Sequence, residues 1–421
     1  MKKTIKAPFL SRFLSALGPG VTTGAADDDP SGIATYSITG AQLGTTLLWT
    51  ALITWPLMAA VQFMCARIGM VTGTGLGDAL GKKVPRSLLI IGALALLAVN
   101  SINVGADLLG MADAAAMLTG ITSHAFVLLF GIGIAIATIR IRYHRIAAIL
   151  KWLALSLFAY VITAFIVGPN WWNILHDTFV PTLPRSHDAW QSLVALLGTT
   201  ISPYLFFWQT SQEVEEEKAK GRRMLVDRLG ATRRELGLRE LDVGIGTFFS
   251  NLVMYFIILT TALTLHRNGV TSVSTSREVA EALRPLAGPF AAGLYTVGLI
   301  GVGLLAIPTL TGSAAYALAE TFSWNEGLDE SFRGATAFYG VVILSTMIGI
   351  AFDLLGINPL RALFYTAVIN GVLAPFLLVG ILIVAADRKI MHEQCSSWWS
   401  WTVVAVTTLV MFAAAVAMFV L

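Results

Sequence analysis

Charge and cysteine are what this chain has little of. Asp, Glu, Lys and Arg make up 13% of its 421 residues, about half the roughly 25% found in soluble domains. So few charges cannot keep a chain of this length in water, whereas its 56% hydrophobic content suits repeated passage through a bilayer. Only two cysteines occur, Cys65 and Cys395, which excludes a disulfide framework and a CxxC metal or redox motif. The six histidines are scattered. No glycine-rich phosphate loop, HExxH or Ser-His-Asp order stands out, so nothing argues for an enzyme or a bound cofactor. The N-terminal MKKTIKAPFLSRFLSALGPG has Arg12 inside its apolar part and no A-x-A-like site after it, so a cleaved signal peptide is not expected. Residues 1–13 read as a cytoplasmic lead-in.

What is present is a series of apolar runs of about 20 residues, the length a helix needs to cross a bilayer. Eleven are expected, at about 14–40, 45–66, 87–118, 124–140, 150–168, 189–212, 242–264, 287–317, 335–352, 361–386 and 398–420. With the N-terminus inside, 23 of the 28 bases fall in inward loops, leaving Arg185, Arg267, Arg277, Arg284 and Arg361 outside. The positive-inside rule therefore orients the chain, and the odd number of spans puts Leu421 outside. One inward loop, SWNEGLDESFRG, is acidic, but carboxylates count little in that rule. The most basic loop, KAKGRRMLVDRLGATRRELGLRE, reads as topogenic charge touching anionic lipid and not as a nucleic-acid patch.

Against this apolar background, AADDDPSGIATYSITGAQLG is anomalous. Charges at bilayer depth cost about 2.5–3.5 kcal/mol on insertion scales, so Asp27, Asp28 and Asp29 need partners, protons or water. Pro30 and Gly32 should break the helix at DPSG and leave carbonyls free, and carboxylates beside unwound backbone suit a cation. In the sixth run, LVALLGTTISPYLFFWQTSQEVEEE places Gly198 and Pro203 around TTIS. Breaks at corresponding positions of two repeats mark the substrate site of inverted-repeat transporters. The expected layout is one transmembrane domain over 14–420, with repeats at about 14–168 and 189–386 and an extra helix at 398–420.

GPGVTTGAADDDPSGIATYSITGAQLGTTLLW followed by ARIGMVTGTGLGDAL resembles, almost without gaps from Gly18 to Gly77, the first two spans of the NRAMP family of divalent-metal transporters. The resemblance implies a LeuT-like, all-α fold of eleven helices in a 5+5 inverted repeat plus one. It also implies import of a divalent cation by alternating access between broken first and sixth helices. The family's DPGN motif falls on Asp29, Pro30, Ser31 and Gly32, so the asparagine ligand is missing. The family's A-x-x-M-P-H falls on Thr199, Thr200, Ile201, Ser202, Pro203 and Tyr204. The Thr199 carbonyl can still serve as a ligand, but the methionine has become Ser202. Oxygen donors suit magnesium, calcium and manganese, whereas a thioether favours softer metals. A site of Asp29, Asp28, Thr199 and Ser202, with Asn370 as a further candidate, leaves room for the waters magnesium retains. This pattern resembles the NRAMP-related magnesium transporter branch.

The family's D-L-A-E pattern keeps its aspartate as Asp107, but its glutamate position is Gly110, with Asp113 one turn further on. Tyr204 and Gln209 stand at the histidine positions. Weak or absent proton coupling is therefore expected, with Asp107 and Asp113 as candidate proton or ion path residues. Asn100 and Asn103 read as interhelical hydrogen bonders, Glu320, Asp353 and Asp387 as solvated, and Glu213 to Glu217 as a solvated helix end or an acidic exit funnel. Alternatives are a proton-coupled manganese and iron symporter, an organic-solute symporter of the same fold, and a metal-binding membrane sensor without flux. The expected partners are the metal ion and the bilayer of the inner membrane, with no cofactor and no nucleic acid.

Overall fold

The computed structural model describes residues 18–141, 155–182 and 186–420. The expected lead-in, the bases Arg142, Arg145, Lys151 and Arg185, and the beginnings of the first and fifth apolar runs lie outside the described residues. Among those described, every regular element is helical. The main helices are α1 (Pro19–Asp27), α2 (Pro30–Leu43), α3 (Trp49–Thr72), α4 (Arg86–Thr119), α5 (Ser123–Arg140), α6 (Phe158–Val167) and α7 (His187–Thr200). They continue as α8 (Pro203–Ala219), α9 (Arg233–Thr264), α10 (Ala291–Phe322), α11 (Thr336–Phe352), α12 (Pro359–Ala386) and α13 (Trp398–Val420). Eight described helices are individually long and apolar enough to cross a membrane: α3, α4, α5 and α9 to α13. The remaining apolar runs correspond to α6 and to two broken pairs, α1 with α2 and α7 with α8.

The two breaks are built alike. At the first, Asp28 (φ −78°, ψ 58°) leaves α1, Asp29 (φ −74°, ψ 171°) caps α2, and Pro30 is the first residue of α2. At the second, Ile201 (φ −116°, ψ 61°) leaves α7, Ser202 (φ −80°, ψ 134°) precedes α8, and Pro203 is its first residue. Proline is suited to that first position, because its fixed φ is helical and its missing N–H would have had no partner there. The interruption is therefore at Asp28–Asp29, one residue ahead of the expected DPSG, and Pro30 starts the second half-helix.

Glycines set the half-helices directly against long helices. A Cβ on Gly24 of α1 would lie 2.4 Å from the Gly246 carbonyl oxygen of α9, and one on Gly198 of α7 would lie 2.1 Å from the Ala367 carbonyl oxygen of α12. Such contact lets packing substitute for a hydrophobic driving force that lipid does not supply. Gly198→Ala is expected to cost about 1–3 kcal/mol by overpacking. Gly92→Ala is the control, since a Cβ there meets nothing within 4 Å. Equal melting temperatures for the two variants in detergent contradict this packing.

At the end of the bundle nearest the 218–240 loop, Asp242 of α9 caps α1 from outside. Its carboxylate accepts the backbone N–H groups of Gly18 at 2.8 Å, Gly20 at 2.9 Å and Val21 at 3.3 Å. Arg239, one turn earlier, pairs with Asp242 at 2.6 Å, with Glu213 of α8 at 2.8 Å, and with Glu216. One buried guanidinium thus ties α1, α8 and α9 together.

Candidate ion-binding site

Asp29 is buried between the halves of the first broken helix. Its Oδ1 accepts the Gly32 N–H and the Ser31 hydroxyl, each at 2.7 Å, and its Oδ2 accepts Asn103 Nδ2 of α4 at 3.3 Å. The carboxylate therefore caps α2, where the helix dipole favours negative charge.

Gly32 faces α7. A Cβ on it would lie 3.2 Å from Thr199 Oγ1, 3.4 Å from the Tyr36 ring and 3.5 Å from Asp29 Oδ1. Asp29, Gly32 and Thr199 therefore share one small space at the meeting of the two breaks. Thr199 Oγ1 and the Tyr36 hydroxyl are both buried and lie beside one another. Ser202 Oγ lies 2.7 Å from the Gly198 carbonyl oxygen and 2.8 Å from that of Thr199. A hydroxyl has one proton to donate and keeps acceptor lone pairs, so Ser202 steadies the end of α7 and still offers oxygen.

The three aspartates divide between two neighbours. Ser250 Oγ of α9 lies 2.6 Å from Asp27 Oδ2 and 3.2 Å from Asp28 Oδ1, so Asp28 turns toward α9 while Asp29 turns toward α4. Asp107, four residues beyond Asn103 on α4, is fully buried close to Asp29 and to the Ser31 backbone. Asp113 does not join it. Six residues further on, at 3.6 residues per turn, it has swung to another side of α4 and lies near Tyr295. Asn370 of α12 is buried with its Oδ1 unpartnered, next to Gly371, which packs on α7. Tyr204 donates to the Ala26 carbonyl at 3.1 Å, and Gln209 donates to Glu213 at 2.7 Å.

Asn100 and Asn103 are interhelical bonders as expected, Asn100 to the Leu310 carbonyl and Ser313, both at 2.9 Å, and Asn103 to the Asp29 carboxylate. Other polar residues sit elsewhere than expected. Glu320 is buried, not solvated: it accepts the Gly77 N–H at 2.5 Å and the Ser211 hydroxyl at 3.0 Å. In the adjoining loop, burial and the neighbouring Glu320 push the Glu326 carboxyl well above the usual carboxylate range. Glu213 and Glu217 are likewise buried, and ion-paired to Arg239 and Arg222. Asp353 and Asp387 pair with His124 and Lys83. Sequence reasoning missed Tyr36, Ser250 and Asp242. Of the residues now near Asp29, Asn103 had a readable signal, its i, i+4 spacing from Asp107 on one helix face.

Among the described residues, no three His, Cys, Asp or Glu side chains converge as a cage for a resident metal. Donors at this site come from one carboxylate, hydroxyls and the ends of broken helices. Over residues 20–421 the sequence matches the family described as natural resistance-associated macrophage protein-like, Nramp. The chain belongs to the Nramp family. This Nramp chain is 25% identical over 396 residues to the divalent metal cation transporter MntH of Caldanaerobacter subterraneus, covering 91% of this chain and 87% of that relative. In fold it is similar to a manganese transporter of Eremococcus coleocola, with TM-score 0.78 and 17% identity, covering 98% of this chain and 88% of the other. A nucleobase-cation-symport-1 family transporter, Mhp1, is similar at TM-score 0.55 and 14% identity, covering 96% and 91%. The Nramp chain thus has the LeuT-like fold, with its two helix breaks meeting at Asp29, Gly32 and Thr199.

Proposed function

We propose that this chain is a carrier that imports divalent metal cations, magnesium and manganese, across the cytoplasmic membrane by alternating access, with little or no proton coupling. The metal is cargo, so neither a catalytic group nor a cofactor is required. Membership of a transporter family and the similarity to MntH support the divalent-cation part of this reading. The distribution of bases supports the orientation, with the N-terminus inside and the C-terminus outside.

What carries the magnesium reading is the small buried space shared by Asp29, Gly32 and Thr199, with Ser202 bonded to the Thr199 carbonyl. All of its donors are oxygens, which suit hard cations, and the thioether that would favour softer ones is replaced by Ser202. Gly32 removes a side chain, and the Thr199 hydroxyl beside it offers an oxygen in its stead. Magnesium dehydrates reluctantly and is held through one or two carboxylates plus waters, which fits a site whose carboxylate is Asp29. Coupling loses its usual carriers where Tyr204 and Gln209 replace imidazoles that titrate near neutrality. The membrane potential then suffices, since about 2.3 kcal/mol per charge per 100 mV doubles for a divalent ion.

The second reading, a proton-coupled manganese and iron symporter, is favoured by Asp107, a fully buried carboxylate close to Asp29. A carrier of organic anions is disfavoured by three aspartates at the break, and a sensor predicts binding without flux. The triple variant Gly32→Asn, Thr199→Ala, Ser202→Met tests the ligand set. Thr199→Ala is included because a side chain at position 32 meets Thr199 Oγ1. Preference for manganese over magnesium is expected to rise about tenfold, equivalent to 1.4 kcal/mol. An unchanged order means that selectivity is set outside these residues.

A further inference from the structure

We propose that the segment from Arg223 to Arg234, between α8 and α9, is a docking surface for anionic phospholipid headgroups, with its apolar side chains inserted at the acyl boundary. Met224 and Val226 are 70% and 71% exposed, and Leu225 and Leu229 are also exposed. The backbone that presents them is pinned. The Gly230 N–H donates to the Val71 carbonyl at 2.9 Å, Arg228 Nε to the Gly73 carbonyl at 3.1 Å, and the Ala231 N–H to Gln394 at 3.0 Å. Four apolar side chains held outward on a fixed backbone need an apolar phase to cover them.

Two observations select lipid as the occupant. The first is continuity: Leu238 and Leu241, on the first turns of α9 just beyond the segment, are exposed as well, so the apolar surface runs from the segment onto a helix apolar enough to span the bilayer. The second is charge. Residues 218–240 hold eight bases and three acids. Arg222 and Arg239 are consumed by ion pairs with Glu217, Glu235, Glu213, Glu216 and Asp242. Arg223, Arg233 and Arg234 form no ion pair among the described residues. Guanidinium groups bind phosphate oxygens in a fork geometry, and bases flanking exposed apolar side chains are what an interfacial anchor requires. Because the segment joins α8 to α9, lipid bound there would touch the two helices that Arg239 ties to α1.

The test places an environment-sensitive nitrobenzoxadiazole label on Val226→Cys in a Cys395→Ser background; the remaining Cys65 is fully buried. The full-length protein is reconstituted in vesicles of phosphatidylcholine alone or with phosphatidylglycerol. Emission is expected to be shifted to the blue in the anionic vesicles relative to the neutral ones. The shift should be lost in Arg223→Gln, Arg233→Gln, Arg234→Gln, and should shrink as salt shortens the Debye length from about 8 Å at 0.15 M to about 3 Å at 1 M. The salt series, done on the protein with its arginines intact, keeps the test decisive if the triple variant folds poorly. Water-like emission in both vesicles overturns the proposal and leaves the surface to another partner. Equal blue shifts in both vesicles, insensitive to salt, overturn it as well.

Discussion

Asp29→Asn is expected to stop metal uptake while the protein still folds. Asparagine is as good a helix N-cap as aspartate, so the bonds from Gly32 and Ser31 to position 29 can persist. What disappears is the negative charge, which a divalent ion leaving water must find in its carrier. Asp27 and Asp28 cannot take over without leaving Ser250, which both of them face. Asp29→Ala should be equally inactive and slightly less stable, since loss of a cap costs about 0.5–2 kcal/mol. Uptake retained by Asp29→Asn, with normal elution on gel filtration, removes this carboxylate from the site.

Arg239→Ala carries the second large effect. Its guanidinium is buried and compensates Glu213 and Asp242, both buried as well. Breaking such a set by removing one partner costs about 3–5 kcal/mol, because the charges left behind have neither water nor a counter-ion. The loss should appear as a lower melting temperature and as release of α1, whose first N–H groups are held by Asp242. Adding Glu213→Gln and Asp242→Asn should recover much of the stability, since the amides leave no uncompensated charge and the asparagine oxygen can still cap α1. No recovery in the triple variant contradicts the electrostatic origin of the effect.

The helix breaks were legible because proline and glycine act through local backbone rules. Pro30 and Pro203 each interrupt an apolar run, and the structure puts both at the first residue of a second half-helix. The aspartates were legible as an anomaly, but their division was not. Whether Asp28 faces Asp29's neighbours or Ser250 depends on a partner 222 residues away. Asn103 to Asp29 spans 74 residues, and Glu320 to Gly77 spans 243. A carboxylate near a span end reads as solvated by default, because sequence alone does not reveal a glycine-rich turn folding over it. The same blindness applies to the run from Glu213 to Glu217, which reads as a solvated helix end or an exit funnel until Arg239 is seen beside it. The exchange of Asn for Gly32 gains its meaning only when Thr199 is found 3.2 Å from where a Cβ would be.

On the proposed reading, an oxygen-donor site passes magnesium and manganese without moving protons. The most direct test of that reading is uptake of each ion into liposomes containing the purified protein, with a pH dye inside and a negative internal potential. Entry of both ions, rising with the potential and without internal acidification, is the predicted result. Manganese entry with acidification and no magnesium entry contradicts the account and identifies a proton-coupled symporter.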